Sequence, residues 1–589
     1  MIAFGIVGSL LFLIMLSVLE LNKNTIPGFL LLLAVTVGFA ILFVRVLHGG
    51  KWYWKLLGWM GWIGAFVLIL LLTWPPMKRV PAYEGKTPTY TDVVSLEKGD
   101  VRGVLIDDGK VELYAGIPYA KPPVGELRWR EPQDPEPWTG VLTADHFAPM
   151  CMQPVSLPIV DSLKQIFGFH DYRISLSDNY RPAVSEDGLY VNVWKPAGKA
   201  EGLPVLVFIH GGTLQTGQPW YGDYAGTGLA REGVITVNLG YRLGVFGYLA
   251  DEGLRAESEH GTTGNYGLLD QIKALEWVRD NIAAFGGDPD NVTLAGESAG
   301  AASVSAICTS PLAKGLFKNV LLESSTVASI EPPHSFRSYA DAIESGDKLK
   351  ARYGVQTPAQ MRALDAETIV NEAYTQHFMT VDGYALVETP YESYKKGVHN
   401  EQAILHGYNS EESGPFLIIG NANLKNYEQR IRAYFREYAD DVLKIWSPTT
   451  DAEAKDMWAQ IYGAIFFNYP HYCLNRLAVE NGIPVWEYYF SKHNGRLGAW
   501  HSGEMIYVYG NLPKNSRLFD EADYALGRMM LGYVVNFIGT GDPNGEGLPA
   551  WESNADSARV FEFGGNTGMI DEKYLALYEV MDRMSGWEE

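Results

Sequence analysis

Gly296-Glu297-Ser298-Ala299-Gly300 is the segment of this 589-residue chain whose residue types and spacing can most directly do chemistry. In G-x-S-x-G a serine sits where a strand turns sharply into a helix, and its hydroxyl points out of the turn into a cleft. The two glycines remove side chains that would collide in that turn. Small residues follow, Ala301, Ala302 and Ser303 among them, as a helix packed close to a sheet requires. The free N–H groups and positive dipole end of that helix lie near the reacting oxygen. A serine hydroxyl becomes a nucleophile only beside a base, and the tetrahedral intermediate it forms needs donors for its oxyanion. His210-Gly211-Gly212-Thr213 follows an apolar stretch, and glycines there let backbone N–H groups approach a substrate oxygen. Together the two motifs imply acyl transfer through a serine.

The elements that must position these motifs read as alternating strands and helices. Val205–Ile209, Val234–Val237, Val292–Ala295, Asn319–Leu322 and Gln402–Leu405 are short apolar runs, the pattern of strands inside a mostly parallel sheet covered on both faces. Leu269, Ile272, Leu275, Val278 and Ile282 recur at helical spacing between Leu268 and Phe285, and Gly286 and Gly287 break the pattern. Strand and helix in alternation predict an α/β fold from about residue 98 to residue 589.

The composition bounds the function. A chain that is 47% hydrophobic and 20% charged can bury a large core, and a net charge of −22 argues against nucleic acid as a partner. Three cysteines exclude a disulfide-dense scaffold. No histidines stand in a metal-binding spacing such as H-E-x-x-H, so neither metal nor cofactor is expected. Residues 1–79 are a different material. Three uncharged apolar runs, Ile2–Leu19, Ile26–Val44 and Leu56–Trp74, each approach the ~20 residues that cross a bilayer core as a helix. They predict a membrane domain over 1–79 that meets lipid through residues 2–74, then a polar linker over 80–97. Trp52, Tyr53, Trp54, Trp59, Trp62 and Trp74 read as an interfacial belt. Arg45, Lys51 and Lys55 flank one side and Lys23, Lys78 and Arg79 the other, so the balance of positive charge sets no orientation.

Collinear blocks across residues 100–589 resemble the type-B carboxylesterases of the cholinesterase/carboxylesterase family. They include Tyr114-Ala115-Gly116-Ile117-Pro118-Tyr119-Ala120, Glu186-Asp187-Gly188-Leu189-Tyr190, Tyr241-Arg242-Leu243-Gly244, Gly264-Asn265-Tyr266-Gly267, Phe285-Gly286-Gly287-Asp288-Pro289 and the two motifs above. The resemblance implies an α/β-hydrolase fold, a small-molecule ester substrate and a Ser, Glu, His triad in that chain order. Ser298 matches the nucleophile. Asn409-Ser410-Glu411-Glu412 matches the acid block and points to Glu412, with Glu411 as the competitor. Ala499-Trp500-His501-Ser502-Gly503-Glu504 matches the base block and points to His501. The oxyanion hole would fall on Gly211, Gly212, Thr213 and Ala299, with Glu504 and Ser324 supporting the histidine. Arg128 with Glu186, and Arg242 with Asp270, would be internal ion pairs.

The sequence departs from the family pattern at three places. Thr213 stands where a third glycine is usual, and Gly188 where Cys151 would find a disulfide partner, so free buried thiols are expected. The stretch 152–186 lacks the tryptophan that would bind choline. Its apolar segments Leu157–Val160 and Ile166–Phe169 read as a lid favouring uncharged acyl or aryl esters. Two other functions fit the outline: an adhesion module that uses the same fold without catalysis, and a lipase or amidase acting on membrane-dissolved substrates. The intact Ser298, Glu412 and His501 favour a membrane-anchored serine esterase.

Overall fold

The structure, a computed structural model, describes residues 2–85, 87–167, 174, 179–370, 377–417, 420–493, 498–514, 518–553 and 558–587. The chain divides into two compact units. One comprises residues 81–154 and 184–589, the other 1–80 and 155–183.

The larger unit is built on a sheet of thirteen strands among the described residues. Seven of them run parallel in a row: Arg559–Phe563, Val485–Phe490, Ala403–Asn409, Asn319–Glu323, Gly287–Glu297, Leu203–Ile209 and Ile235–Leu239. Antiparallel strands close both ends of the row. All five strands read from apolar runs are present, each within a few residues of its expected limits. Their side chains are buried because helices cover both faces, and Val205, Val207, Val237, Leu294, Val320 and Ile404 have no exposed surface. The predicted helix spans Tyr266–Asn281, tightens into a 3-10 turn over Ile282–Phe285 and ends at Gly286 in the left-handed conformation.

Both anticipated ion pairs form. Arg242 grips Asp270 in a fork, with Nε–Oδ2 2.8 Å and Nη2–Oδ1 2.7 Å, and Arg128 holds Glu186 in the same way. Cys151, Cys308 and Cys473 are free and buried. A Cβ built on Gly188 would stand 2.6 Å from the Cys151 sulfur, so the two positions face each other as a disulfide would require. The residues read as a linker, 80–97, are not all linker. Tyr90–Leu96 is an edge strand antiparallel to Gly99–Ile106. Its polar Thr91, Asp92 and Ser95 hide it from an apolar-run search.

The smaller unit contains three long helices, Ile2–Leu21, Ile26–Leu42 and Trp52–Leu72, the second extended by a π-helical turn over Phe43–Leu47. All three are long and apolar enough to cross a membrane. Only a narrow seam is packed, including Leu19, Leu32, Phe39, Phe43, Trp62 and Ile69, and most of the outward apolar surface is exposed. Trp59 and Trp62 belong to that seam and not to a belt. Trp62 stacks on Phe39 at 5.0 Å and donates its ring N–H to Thr36, while Trp59 packs edge-on to Phe39. Trp52 and Trp54 are exposed at the start of the third helix, as interfacial residues would be. Of the stretch 152–186, whose apolar segments read as a lid, residues 155–183 group with these helices. Of its second apolar segment, Gly168 and Phe169 lie outside the described residues.

The Arg242–Asp270 pair gives a stability test. Removing one partner of a buried pair leaves an uncompensated charge and costs roughly 3–5 kcal/mol. Asp270→Asn is expected to lower the chemical denaturation midpoint accordingly, whereas an unchanged midpoint would show that the pair does not hold the fold.

Candidate active site

Five neighbouring parallel strands deliver the site, because loops leaving their carboxyl ends emerge side by side. The glycine loop 210–213 follows Leu203–Ile209, Ser298 follows Gly287–Glu297, Ser324 follows Asn319–Glu323, Glu412 follows Ala403–Asn409, and His501 lies beyond Val485–Phe490.

Ser298 has φ 54° and ψ −125°, a strained conformation between the strand and the helix Ala299–Ile307. The turn is possible because of its glycines. A Cβ on Gly300 would lie 2.0 Å from the Ile209 carbonyl oxygen, and one on Gly296 would lie 2.5 Å from the Gly300 carbonyl carbon. The hydroxyl is thereby aimed at His501, with Oγ–Nε2 2.9 Å, and Nδ1 of the same ring meets Glu412 Oε2 at 2.5 Å. A carboxylate accepts, so Nδ1 carries the proton and Nε2 is left free to accept from Ser298. The two candidate glutamates part company here. Glu412 is buried, and its other oxygen accepts from the Asn409 backbone N–H at 2.8 Å. Glu411 turns outward, 3.5 Å from the exposed His493.

The supporting residues form a chain of contacts. Ser324 donates to Glu504 at 3.1 Å, and the Asn409 side-chain amide donates to the other oxygen of Glu504. Asn409 therefore holds Glu504 with its side chain and Glu412 with its backbone. Sequence reasoning missed Asn409, although it opens the acid block, and it missed Glu297, the unspecified position of G-x-S-x-G. Glu297 Oε1 lies 3.3 Å from His501 Nε2 and accepts from Ser502 at 2.5 Å. Phe467 and Phe416 cover the imidazole at 4.7 and 5.2 Å between ring centres. Phe467 arrives on a π-helical turn, Ala464–Asn468, which no sequence period announced.

Burial disfavours a charged imidazole, yet the negative charges of Glu412 and Glu297 and the bond to Glu412 outweigh it and raise His501 to about 9. Burial pushes Glu504 up to about 8, with the charge of Glu412 adding to it, and moves Glu297 upward as well. His334, which lines the cavity, donates Nε2–H to the Phe466 carbonyl, and burial lowers it to about 4.

The glycine loop is as unusual as the elbow. Gly212 has φ 107°, Thr213 φ 57° and Leu214 φ 59°. A left-handed conformation costs an ordinary L-residue roughly 1–2 kcal/mol, so the structure places Thr213 in a glycine-like conformation at some strain. Its hydroxyl donates back to the Gly212 carbonyl at 2.7 Å. The backbone N–H groups of Gly212, Thr213 and Ala299 have no acceptor among the described residues. Gly211 packs against Glu297 and Ser298, and its carbonyl accepts from the His210 ring. Thr213, Ser298 and Ala299 open into a cavity of about 690 Å³. Phe336, Phe378, Phe416, Tyr462, Phe466 and Phe467 line it, with Arg337, Asp341, Glu344 and Lys348 also on its walls. Its described lining falls between residues 213 and 467.

A serine on a strand-to-helix elbow above a mostly parallel sheet, hydrogen-bonded to a histidine that is bonded to a glutamate, defines an α/β-hydrolase. Comparison with known proteins agrees. The model of the carboxylesterase family matches residues 90–577. A fumonisin B1 esterase of Sphingopyxis macrogoltabida is 31% identical over 489 residues, covering 80% of this chain and 86% of the relative. A para-nitrobenzyl esterase of Bacillus subtilis (strain 168) is 31% identical over 494 residues, covering 80% and 94% respectively. A crystal structure of a carboxylesterase from Geobacillus stearothermophilus has a TM-score of 0.70 and 30% identity, covering 83% of this chain and 100% of that one. The chain belongs to the carboxylesterase family and is a carboxylic ester hydrolase.

The charges around His501 predict a pH signature. A base acts only when neutral, and kcat/KM reports the pKa of the free enzyme. Were His501 the base, its raised pKa would place the acid limb of that profile above the usual histidine range. Glu297→Gln removes one of the charges that raise it, so the acid limb is expected to shift to lower pH. A limb that stays in place or moves upward would contradict this electrostatic account.

Proposed function

We propose that this protein is a membrane-anchored serine carboxylesterase that works through an acyl-enzyme. The observation that carries the reading is the continuous pair of hydrogen bonds from Ser298 to His501 to Glu412 at the floor of an aromatic cavity. His501 takes the Ser298 proton as the hydroxyl attacks the ester carbonyl, then returns it to the leaving alcohol. Glu412 keeps the imidazole in the tautomer with Nδ1 protonated and stabilises the imidazolium as it forms. The N–H groups of Gly212, Thr213 and Ala299 receive the oxyanion, and losing one such donor typically costs about 2.7–4 kcal/mol of barrier. Water then attacks the acyl-serine, with His501 as base a second time.

The substrate class follows from the cavity. Its aromatic walls favour an uncharged acyl or aryl group next to the scissile bond, and the mixed charges of Arg337, Asp341, Glu344 and Lys348 give no single sign for an ionic substrate to meet. The three apolar helices support an anchor through residues 2–74. The intact triad speaks against a purely adhesive role, since such a module has no use for an activated hydroxyl.

Turnover of p-nitrophenyl esters by the full chain tests the reading. Ser298→Ala is expected to lower kcat by roughly four to six orders of magnitude. Glu412→Gln should cause a large loss and Glu411→Gln little change. Equal activity of Ser298→Ala and wild type would refute the mechanism, and a larger loss at Glu411 would move the acid to that residue.

A further inference from the structure

The helix Pro158–Phe167 is amphipathic, and its apolar side is uncovered. Val160, Leu163 and Ile166 are 39%, 37% and 39% exposed, and Leu157, just before the helix, is 56% exposed. At 100° per residue these three helical positions fall on one arc, with Asp161 on the other side of the helix. The buried positions Pro158 and Ser162 occupy a third arc, the one that meets the rest of the unit. In water a contiguous apolar stripe of this kind is unfavourable and marks a contact with something apolar.

The position of the stripe says what that contact is. Ser162 donates to the carbonyl of Leu21 at 2.7 Å, capping the last turn of the first membrane helix, where carbonyls lack helical partners. The other end of the insertion is tied to the end of the third helix. Arg181–Pro182 pairs in parallel with Met77–Lys78, Arg181 Nε donates to the Pro75 carbonyl at 3.3 Å, and its guanidinium lies 5.8 Å from the Trp74 ring. Between them, Asn179 donates to the Asn24 carbonyl at 2.6 Å. Asn24 is itself buried and donates to the Leu70 carbonyl and to the Thr73 hydroxyl. The first and third helices of an up-down-up set end on the same side. The amphipathic helix is therefore fixed where their apolar surface gives way to polar residues, which is the boundary of the bilayer.

We propose that Pro158–Phe167 lies in the interface of the leaflet on that side, with Val160, Leu163 and Ile166 among the upper acyl chains and Asp161 toward water. The proposal rests on the anchoring of residues 2–74 read above and extends it. Lipid is the occupant the position favours, because the helix is bound through Ser162 to the final carbonyl of the first helix, whose Leu10, Leu13 and Ile14 are themselves exposed apolar surface. Interfacial helices of this type bury their apolar face ~5–10 Å into the headgroup and acyl boundary. The insertion would thus be a fourth lipid-contacting element, parallel to the surface rather than across it. The chain passes between its two units at residues 80–81, 154–155 and 183–184, so the esterase unit would be joined to the membrane unit by three covalent connections instead of one linker.

The test uses the full-length chain in phosphatidylcholine vesicles containing phosphatidylglycerol. Single cysteines carrying an environment-sensitive fluorophore are placed by Leu163→Cys, Asp161→Cys and, in the first helix, Leu13→Cys. The native thiols are buried, so wild type treated in the same way serves as the blank. Ester turnover confirms that each variant is folded, and Val160→Cys replaces Leu163→Cys should the latter fail that check. The proposal predicts blue-shifted emission at 163 and severalfold quenching by lipid spin-labelled high on the acyl chain, with little quenching at 161. Quenching at 13 without quenching at 163 would overturn the interfacial helix and leave the anchor standing. So would blue-shifted emission at 163 that lipid spin labels do not quench, because a protein surface would then cover the stripe. Absence of quenching at 13 would overturn the anchor and, with it, this inference.

Discussion

A carboxylate withdrawn from water must be hydrogen-bonded or balanced by a cation, because its desolvation is otherwise prohibitive. Glu412 is in that position. One of its oxygens is held by the Asn409 N–H, and the other is left to His501. Among the described residues the imidazole is the only cation precursor within ion-pair distance of it. The charged form of His501 is therefore favoured against the penalty of burial. Glu297, Glu323 and Glu504 are buried in the same neighbourhood. Burial moves all three upward, Glu323 well above the usual range.

The geometry that makes this work is inherited from the sheet. Parallel strands set the spacing of their carboxyl ends, and the loops that leave them bring Gly212, Ser298, Ser324, Glu412 and His501 together from across nearly three hundred residues of sequence. Strain is concentrated where precision is needed. Ser298, Ser324 and Ser502 have positive φ, as do Thr213 and Leu214 in the glycine loop. Residues held in such regions persist only when the surroundings over-determine them, and here those surroundings are the sheet, the glycine contacts and the buried hydrogen bonds.

Much of this was legible before any coordinates. Ser298 follows from a local pattern with a steric reason, and the parallel strands follow from apolar runs that only a two-sided burial explains. Gly188 opposite Cys151 came from the family resemblance and is now a measurable approach. What could not be read was set by contacts distant in sequence or by the direction of a side chain. Glu411 and Glu412 are the same residue type side by side, and only the turn decides which one faces His501. Trp59 and Trp62 sit in an apolar helix whose every face looks suitable for lipid, and helix packing alone sends them inward. The stretch 155–183 carries no label connecting it to residues 1–80, because its ties are hydrogen bonds to the carbonyls of Leu21, Asn24 and Pro75.

The central claim is that His501 makes the Ser298 hydroxyl nucleophilic. The most direct measurement is the rate and position of phosphonylation of the full chain by a fluorophosphonate, followed by peptide mass spectrometry. The account predicts one adduct, on Ser298, formed rapidly in wild type and slowed severely in His501→Ala. An adduct on another residue, or labelling of Ser298 that proceeds at the same rate without His501, would contradict it.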